Sequence, residues 1–576
     1  MCGIVGIASK EKLKVAELLK ALKRLEYRGY DSFGFMTDSG FLYRKIGEII
    51  FVEDAAEEFR TAISHTRWST HGGVAEENAH PHYDCSKDLF IVHNGIIENY
   101  QEMKKDLEEK GHAFSSETDS EVIAHYFEEE LKNGEGVEEI IQKFFKEAEG
   151  TYAILILKKG DDKIYAFKKD SPLVLGIVNG MNIVASDIFA FSSKTNRAIF
   201  FDDYEFAVVD KNGYEFFDKN GNKIKKQIST FEWHEEEAGK KYEHFMLKEI
   251  EEEPIVAERL LQSLATTQKD KLKKLKELMQ HSKKIVFVAS GTSYHASLLG
   301  VYFLHKVGLE TQTIIASEFK DFSKIDKDTL VIAISQSGET MDVIDALKHA
   351  KHDGAKIASI VNVPYSTIQR MSELTIEILA GQEVCVAATK SFVNQVILLL
   401  FIAKEFGLDV KIEKIPEEIR EAQRHEEKIK GLAKTLKDKN DIYIIGRGLS
   451  YPVAREIALK LKEISYMHAE GMMGGELKHG TLALIEKGTP VISLINGNID
   501  IISNTKEVEA RGGHIIAITN NNNVEYGEQI KIHTEHDGSF SILAAIVGQL
   551  LTYYIARERG LAIDKPRNLA KCVTVK

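Results

Sequence analysis

The chain reads as an α+β N-terminal region followed by two copies of an α/β unit, each built on a parallel sheet covered by helices. Three observations predict this. Short apolar runs separated by turns fill the chain from Cys2 to about Lys225, strands then alternate with longer helices, and this second part overlies itself when displaced by about 157 to 160 residues.

In the first region YAILIL, from Tyr152 to Leu157, is followed by a KKGDDK turn and KIYAF, which reads as two paired strands. Asn212-Gly213 and Asn220-Gly221 supply strong hairpin-turn signals. From Val15 to Leu25, Val15, Leu18, Leu19, Leu22 and Leu25 recur at helical spacing. Residues 227–252 are strongly charged (FEWHEEEAGKKYEHFMLKEIEEE lies within them) and read as a solvated linker. The expected organisation is 2–226, the linker 227–252, a first lobe 253–425, a second lobe 426–565 and a tail 566–576.

The repeat is clearest where KIVFVASGTSYHA (Lys284 to Ala296) falls on DIYIIGRGLSYPV (Asp441 to Val453). VIAIS from Val331 overlies VISLI from Val491, and GAKIASIVN from Gly354 overlies GGHIIAITN from Gly512. Ligands of such a fold are expected outside the carboxyl ends of its strands.

Composition narrows the function. A net charge of −13 and a pI near 5.9 argue against a broad nucleic-acid or membrane footprint. The 43% hydrophobic and 28% charged content is that of a folded globular chain. Cys2, Cys85, Cys385 and Cys572 are scattered without C-x-x-C spacing, which fits the reducing cytosol. No basic, apolar leader opens the chain, and no unbroken run of about 18 apolar residues occurs.

Two strand ends in the first lobe carry hydroxyls with glycine: S-G-T-S (Ser290 to Ser293) and S-Q-S-G-E-T (Ser335 to Thr340). Each alone is an ordinary helix cap. Together, at successive strand ends, they suit a phosphate, because glycine admits it to the backbone, hydroxyls donate, and a helix start presents free N–H groups. The second lobe has INGN (Ile495 to Asn498) where SQSG stood, so one phosphate site is expected per chain. No G-K-[ST] is present, which excludes a Walker loop.

At the other end, Cys2 becomes a nucleophile with its own base if Met1 is removed, because an α-amino group has a pKa of about 7.7 to 8.0. H-T-R-W-S-T-H-G (His65 to Gly72), H-N-G (His93 to Gly95) and E-T-D-S (Glu117 to Ser120) supply the groups a glutaminase needs. Arg67 can fork onto an α-carboxylate, Asp119 can pair with an α-ammonium, and Asn94 with the Gly95 N–H can form an oxyanion hole. His65, His71, His80 and His82 show no H-E-x-x-H or comparable spacing, so neither metal nor cofactor is expected.

These motifs, with MCGIVG at Met1, LEYRGYDS at Leu25, HNGIIENY at His93, KLKEISYMHAE at Lys460, GELKHG at Gly475 and KPRNLAKCVTV at Lys565, make the chain resemble the isomerising glutamine:fructose-6-phosphate aminotransferases (glucosamine-6-phosphate synthases). The resemblance implies an Ntn-type αββα glutaminase, two doubly wound sugar isomerase (SIS) lobes, and a tail that closes over the sugar. It implies Cys2 as nucleophile, Asn94 and Gly95 as oxyanion hole, Arg67, His71 and Asp119 on glutamine, Arg28 in a loop covering glutamine, and Trp68 as the gate on the ammonia path. On the sugar side it implies Thr292, Ser293, Ser335, Gln336, Ser337, Thr340, Val386, Lys460, Arg567 and Ala570. Glu463 would move the proton between C1 and C2, Lys571 would form the Schiff base, and His479, from a partner subunit of a homodimer, would open the ring. Substrates would be L-glutamine and fructose 6-phosphate, with no nucleic-acid or membrane partner and ammonia passed internally. Phe33, Ala388, Thr481 and Lys576 depart from the family pattern without removing a catalytic group. Amination of another keto-sugar phosphate, or sugar-phosphate sensing, are the competing readings.

Overall fold

Gly3–Lys14, a strand whose first seven residues are all buried, sets the N-terminal architecture because it has to be covered on both faces. In the computed structural model, which describes residues 2–50, 57–231, 242–322, 324–521, 525–534 and 536–574, it lies at the centre of one of two antiparallel sheets. The first sheet runs Ser229–Thr230, Arg197–Phe200, Val174–Val178, Met181–Ala185, Gly3–Lys14, Glu58–Arg67, Ser32–Thr37, Leu42–Ile46. The second runs Lys223–Ile224, Tyr214–Phe217, Glu205–Val209, Ile164–Lys169, Gly150–Lys158, Leu89–Ile97, His82–Tyr83. Period-2 alternation sends Ile4, Ala8 and Ile63 of one sheet against Val92, Ala153 and Leu155 of the other. A Cβ at Gly6 would stand 2.7 Å from the Leu155 side chain, so glycine sets the spacing there.

The outer faces carry helices. Val15–Lys23 lays Val15, Leu18, Leu19 and Leu22 on the first sheet. Glu121–Lys132 and Val137–Glu147 bring Ile123, Phe127, Ile141 and Phe144 to Tyr152, Ile154 and Phe167 of the second. The result is the expected αββα stack. Both Asn-Gly turns join neighbouring antiparallel strands, each tightened by an aspartate, Asp210 or Asp218, that accepts backbone N–H bonds.

The chain divides into two compact units, Met1–Glu235 with Cys572–Lys576, and Glu236–Lys571. The second unit contains the repeat. Its two sheets are wholly parallel with the same strand order: Gln312–Ile315, Lys284–Ala289, Thr329–Ser335, Lys356–Val361, Leu374–Glu377 in one lobe, and His468–Met473, Asp441–Gly446, Pro490–Ile495, His514–Thr519, Glu528–Lys531 in the other. Sheets covered on both faces read as continuous apolar runs, as KIVFVA does: Val286 and Val288 pack on Met341–His352, while Ile285 and Phe287 join the core shared by the lobes. Asp537–Glu558 is long and apolar enough to cross a membrane, but its apolar stretch is entirely buried in that core.

The reading of 227–252 as a solvated linker is corrected in part. Phe245–Glu251 is a helix with Met246, Glu249 and Ile250 buried on one face, and Asp564 accepts the Phe245 and Met246 N–H groups at 2.8 and 2.9 Å. Charge along the sequence concealed an apolar stripe at i, i+4. Residues 232–241 lie outside the described residues, as do Met1 and tail residues 575 and 576. The expected tail, 566–576, is itself divided, with its part up to Lys571 belonging to the second unit and Cys572 onward to the first.

Candidate active sites

The strand Gly3–Lys14 starts next to Glu58–Arg67, with Gly3 paired to Thr66, and this register sets Cys2 beside Trp68. The Trp68 N–H donates to the Cys2 sulfur at 3.3 Å, and the thiol donates to the Trp68 carbonyl at 3.6 Å. Burial pushes the Cys2 thiol up, opposed by the Trp68 N–H and the Arg67 charge. A base must therefore act when the thiolate forms. The Trp68 indole sits edge-on to Tyr30 at 5.8 Å. Asn94 and Gly95 stand on Leu89–Ile97 in the facing sheet; the Asn94 amide donates to the Cys2 carbonyl at 2.9 Å, and its own carbonyl oxygen has no hydrogen-bond partner among the described residues. Gly95 has φ +131°, and a Cβ there would meet the Thr151 carbonyl at 1.9 Å, so only glycine fits.

Arg67 is buried and already engaged. Its guanidinium donates to the carbonyls of His71 (2.6 Å), Gly72 (3.1 Å) and Gly73 (3.0 Å), shaping the loop after the strand. The open fork expected from the sequence is thus mostly committed to backbone. Asp119 takes the Ile97 N–H at 2.8 Å and keeps its other oxygen 3.8 Å from the His71 ring. Arg28, expected in a loop covering glutamine, is buried in the turn Glu26–Arg28 and donates to Asp187 at 2.6 Å and to the Tyr27 hydroxyl at 3.2 Å. A buried guanidinium requires such a counter-ion. Phe33 is buried beside Tyr43.

Beneath the thiol site lies a row of imidazoles that the sequence reading passed over except as metal candidates. The rings of His65 and His80 are 4.0 Å apart and those of His80 and His82 4.4 Å, all buried. His65 meets the His93 carbonyl at 2.9 Å, His93 the Ser120 hydroxyl at 2.9 Å, and His82 the Thr118 hydroxyl at 3.0 Å. Burial holds His65 and His80 well below the usual histidine range and pushes His82 down to about 3. They are neutral spacers.

In the second unit the two hydroxyl loops follow adjacent strands, Lys284–Ala289 and Thr329–Ser335, and so open side by side at the carboxyl edge of the sheet. Ser290 precedes the helix Gly291–His305, with Gly291 at φ +55°. Ser335 accepts the Gly338 N–H at 3.0 Å and lies 3.2 Å from the Thr340 hydroxyl, while Ser337 accepts the Glu339 N–H at 3.1 Å. The Gln336 carbonyl takes the Asn362 and Val363 N–H groups, each at 3.3 Å. Thr340 precedes the helix Met341–His352, which gives the pocket a second helix start.

The second lobe completes this site. Thr292 receives a bond from Lys460 (3.0 Å) and donates to Glu456 (3.0 Å), and Ser293 accepts from Gln395 (3.0 Å). Lys460 also pairs with Glu463 at 2.6 Å and Glu456 at 3.5 Å. Burial works against the Lys460 charge, but the two carboxylates, Glu463 foremost, overcome this and raise it above the usual lysine range. Glu463 lies in a widened π-type turn, Leu461–Ser465, that ends at Tyr466 in the left-handed region, and this turn re-aims it from the preceding helix. His479 is not brought to this group; it is exposed on the turn Glu476–His479.

Lys571 pairs with Glu383 at 2.6 Å, both buried. Glu383, which the sequence reading missed, also accepts the N–H groups of Thr389 and Ser391 (3.0 Å each) at the start of Lys390–Glu405 and the Ser391 hydroxyl (2.8 Å). Burial favours its neutral form, but Lys571 and these donors hold it down to about 2. Glu249, which burial and the Glu383 charge push up, accepts from Val384 and Cys385 in the same loop. Val386 donates to the Asp564 carbonyl at 3.1 Å, and Arg567 stacks on the Tyr466 ring at 4.3 Å while its N–H bonds the Tyr466 hydroxyl, tying the segment bearing half-buried Ala570 to this unit.

Comparison with known proteins covers both units. Residues 65–193 match the glutamine amidotransferase domain family, and residues 278–404 and 435–557 match the SIS domain family. The chain is 42% identical to the isomerizing glutamine-fructose-6-phosphate aminotransferases of Thermococcus kodakarensis and Methanothermobacter thermautotrophicus, and 39% to that of Thermotoga maritima, over 100% of each chain. A solved C-terminal domain of glucosamine-fructose-6-phosphate aminotransferase from Francisella tularensis is 35% identical with a TM-score of 0.53, covering 57% of this chain and 100% of that one. Full-length identity at this level, with both domain families in the same order, shows that the chain belongs to the isomerizing glutamine-fructose-6-phosphate aminotransferase family.

Proposed function

We propose that the protein converts fructose 6-phosphate and glutamine to glucosamine 6-phosphate and glutamate. The observation that carries this reading is the bonding of Thr292, in the first hydroxyl loop, to both Lys460 and Glu456: it joins a phosphate-type loop of one lobe to a buried Lys–Glu group of the other. Cys2, with its own amine as base once Met1 is removed, attacks the glutamine amide; Asn94 and Gly95 stabilise the oxyanion; ammonia leaves; water cleaves the thioester. Arg67 and the His71–Gly73 loop it shapes, with Asp119, hold the amino-acid end. Arg28 anchors the neighbouring turn through Asp187, and Trp68 gates the departure of ammonia.

On the sugar side Ser335, Gln336, Ser337 and Thr340 hold the phosphate with Thr292, while Ser293, Val386, Ala570 and Arg567 line the sugar. His479 opens the ring from a second subunit of a homodimer, which its exposed position suits. Lys571 gives up a proton, for which Glu383 is the nearest acceptor, and condenses with the C2 ketone. Ammonia replaces it, and Glu463, paired with Lys460 at 2.6 Å, carries the C1 proton to C2 so that an aldehyde forms at C1 and an amine remains at C2. Ammonia crosses internally, because free in water it would be protonated. The four free cysteines suit a cytosolic setting.

The test is product formation by the wild type and Cys2→Ala, each with glutamine or with ammonium. Equal glutamate and glucosamine 6-phosphate from wild type, with only the ammonium reaction surviving in Cys2→Ala, is expected. Glutamate without amino sugar would redirect the reading to another keto-sugar acceptor.

A further inference from the structure

A second cluster of reactive side chains lies on the helical face of the N-terminal unit and is used by none of these steps. Cys85 sits in the tight turn after His82–Tyr83, His112 follows the helix Tyr100–Glu109, and His125 and Glu128 lie one turn apart on Glu121–Lys132. One donor atom from each falls within 4.8 Å of all the others. The Cys85 sulfur is 3.7 Å from His112 Nδ1 and 3.6 Å from His125 Nδ1, and Glu128 Oε2 is 3.0 and 3.2 Å from the same two nitrogens. Ligand bonds of about 2.3 Å for thiolate and about 2.1 Å for imidazole or carboxylate give tetrahedral edges of about 3.6 Å (S to N) and about 3.4 Å (N to O). The observed separations lie within a few tenths of an ångström of these.

The outer partners point the same way. His112 Nε2 faces Glu129 at 3.1 Å and His125 Nε2 faces Glu121 at 3.6 Å. An imidazole that gives its Nε2 proton to a carboxylate turns a lone pair inward from Nδ1. With Nδ1 unprotonated on both rings, the two nitrogens, the Glu128 oxygen and the Cys85 sulfur form a donor set that one cation satisfies together. Metal-bound histidines are typically backed by carboxylates in this way. The second Glu128 oxygen is held by Lys132 at 2.9 Å, so the inward ligand is Oε2, which also accepts the Cys85 N–H at 3.0 Å and so fixes the Cys85 turn against it.

We propose that Cys85, His112, His125 and Glu128 bind a structural zinc ion. Four protein ligands of S, N, N and O type close a tetrahedral shell, as in structural zinc sites, and leave no position for a reacting water. The Cys85 thiol loses its proton on binding, so thiolate and carboxylate balance the charge of the ion. The ion ties the Cys85 turn and the segment after Tyr100–Glu109 to Glu121–Lys132. Asp119 and Ser120 lead directly into that helix, so zinc stiffens one edge of the glutamine pocket without touching it.

The test is metal analysis of the full-length protein from zinc-supplemented culture, followed by cobalt exchange. After dialysis against metal-free buffer the protein is expected to keep about one zinc per chain. The cobalt form is expected to show intense tetrahedral d–d bands and a thiolate charge-transfer band that Cys85→Ser abolishes. Chelation is expected to lower the melting temperature of the N-terminal unit and to raise the KM for glutamine while leaving ammonium-dependent synthesis unchanged. Zinc below about a tenth of an equivalent, even after dialysis against zinc, would overturn the proposal. So would a cobalt spectrum unchanged by Cys85→Ser. His112→Gln, which keeps a polar group in the cavity, serves as the second variant if Cys85→Ser fails to fold, and the same loss of the cobalt bands is expected of it.

Discussion

Lowering the pH from 7.5 to 5.5 is expected to destabilise the N-terminal unit far more than the rest of the chain. His65, His80 and His82 are buried and neutral, held below the ordinary histidine value chiefly by burial. In the unfolded chain each takes up a proton near pH 6.5. The fold therefore binds fewer protons than the unfolded chain below that value. Stability is fully present above about pH 6.5 and falls as pH drops toward the folded values, which for His82 means about 3. One pH unit below the unfolded value each group costs about 1.4 kcal/mol, so the three together cost about 4 kcal/mol at pH 5.5. His93, buried too, is lowered as well and acts in the same sense. For a unit of this size the loss corresponds to a fall of about 8–16 °C in melting temperature. Trp68 lies in this unit, edge-on to Tyr30, so its emission during a thermal ramp reports on the unit. His80, whose ring nitrogens have no hydrogen-bond partner among the described residues, can be replaced by phenylalanine, and His80→Phe is expected to recover about 1.4 kcal/mol of the acid loss. A midpoint that moves by less than about 2 °C over this range, or a His80→Phe protein with undiminished acid sensitivity, would refute the reasoning.

Three substitutions test the two reaction sites separately. Gly95→Ala forces a Cβ against the Thr151 carbonyl and shifts the oxyanion N–H; glutamine hydrolysis is expected to fall about 100- to 1000-fold, measured as glutamate release, with ammonium-dependent synthesis intact. Glu463→Gln removes the proposed proton carrier and is expected to lower amino-sugar formation at least about 100-fold, read by product chromatography, while glutaminase activity remains. Glu383→Gln leaves the Lys571 ammonium buried without its counter-ion and is expected to cost about 3–5 kcal/mol in denaturant unfolding of the second unit and to abolish synthesis from ammonium.

The fold was legible where pattern is local. Asn-Gly turns and the repeat of parallel strands need only neighbouring residues to declare themselves, whereas the adjacency of Lys284–Ala289 to Thr329–Ser335 skips Gln312–Ile315, which pairs on the other side, and so had to be seen. The site was legible as motifs but not as contacts. Glu383 and Lys571 are 188 residues apart, Thr292 and Lys460 168, and Arg28 and Asp187 159, and no spacing rule connects such pairs. The burial of Arg28 against Asp187 could therefore not be read from its motif. Glu249 lay in a stretch whose charge suggested solvent, although its neighbours Met246 and Ile250 form an apolar face. The Cys85 cluster escaped for the same reason: its ligands come from three separate elements, whereas motif spacing drew attention to the histidines of a neutral core.

The most direct test of the central claim is the fate of the glutamine nitrogen. With amide-15N glutamine, fructose 6-phosphate and an excess of unlabelled ammonium, the two-site account predicts that glucosamine 6-phosphate carries 15N nearly quantitatively and that labelled ammonium does not accumulate. Product whose label matches the diluted ammonium pool would contradict internal transfer, and labelled ammonium without labelled amino sugar would contradict the assignment of the second site.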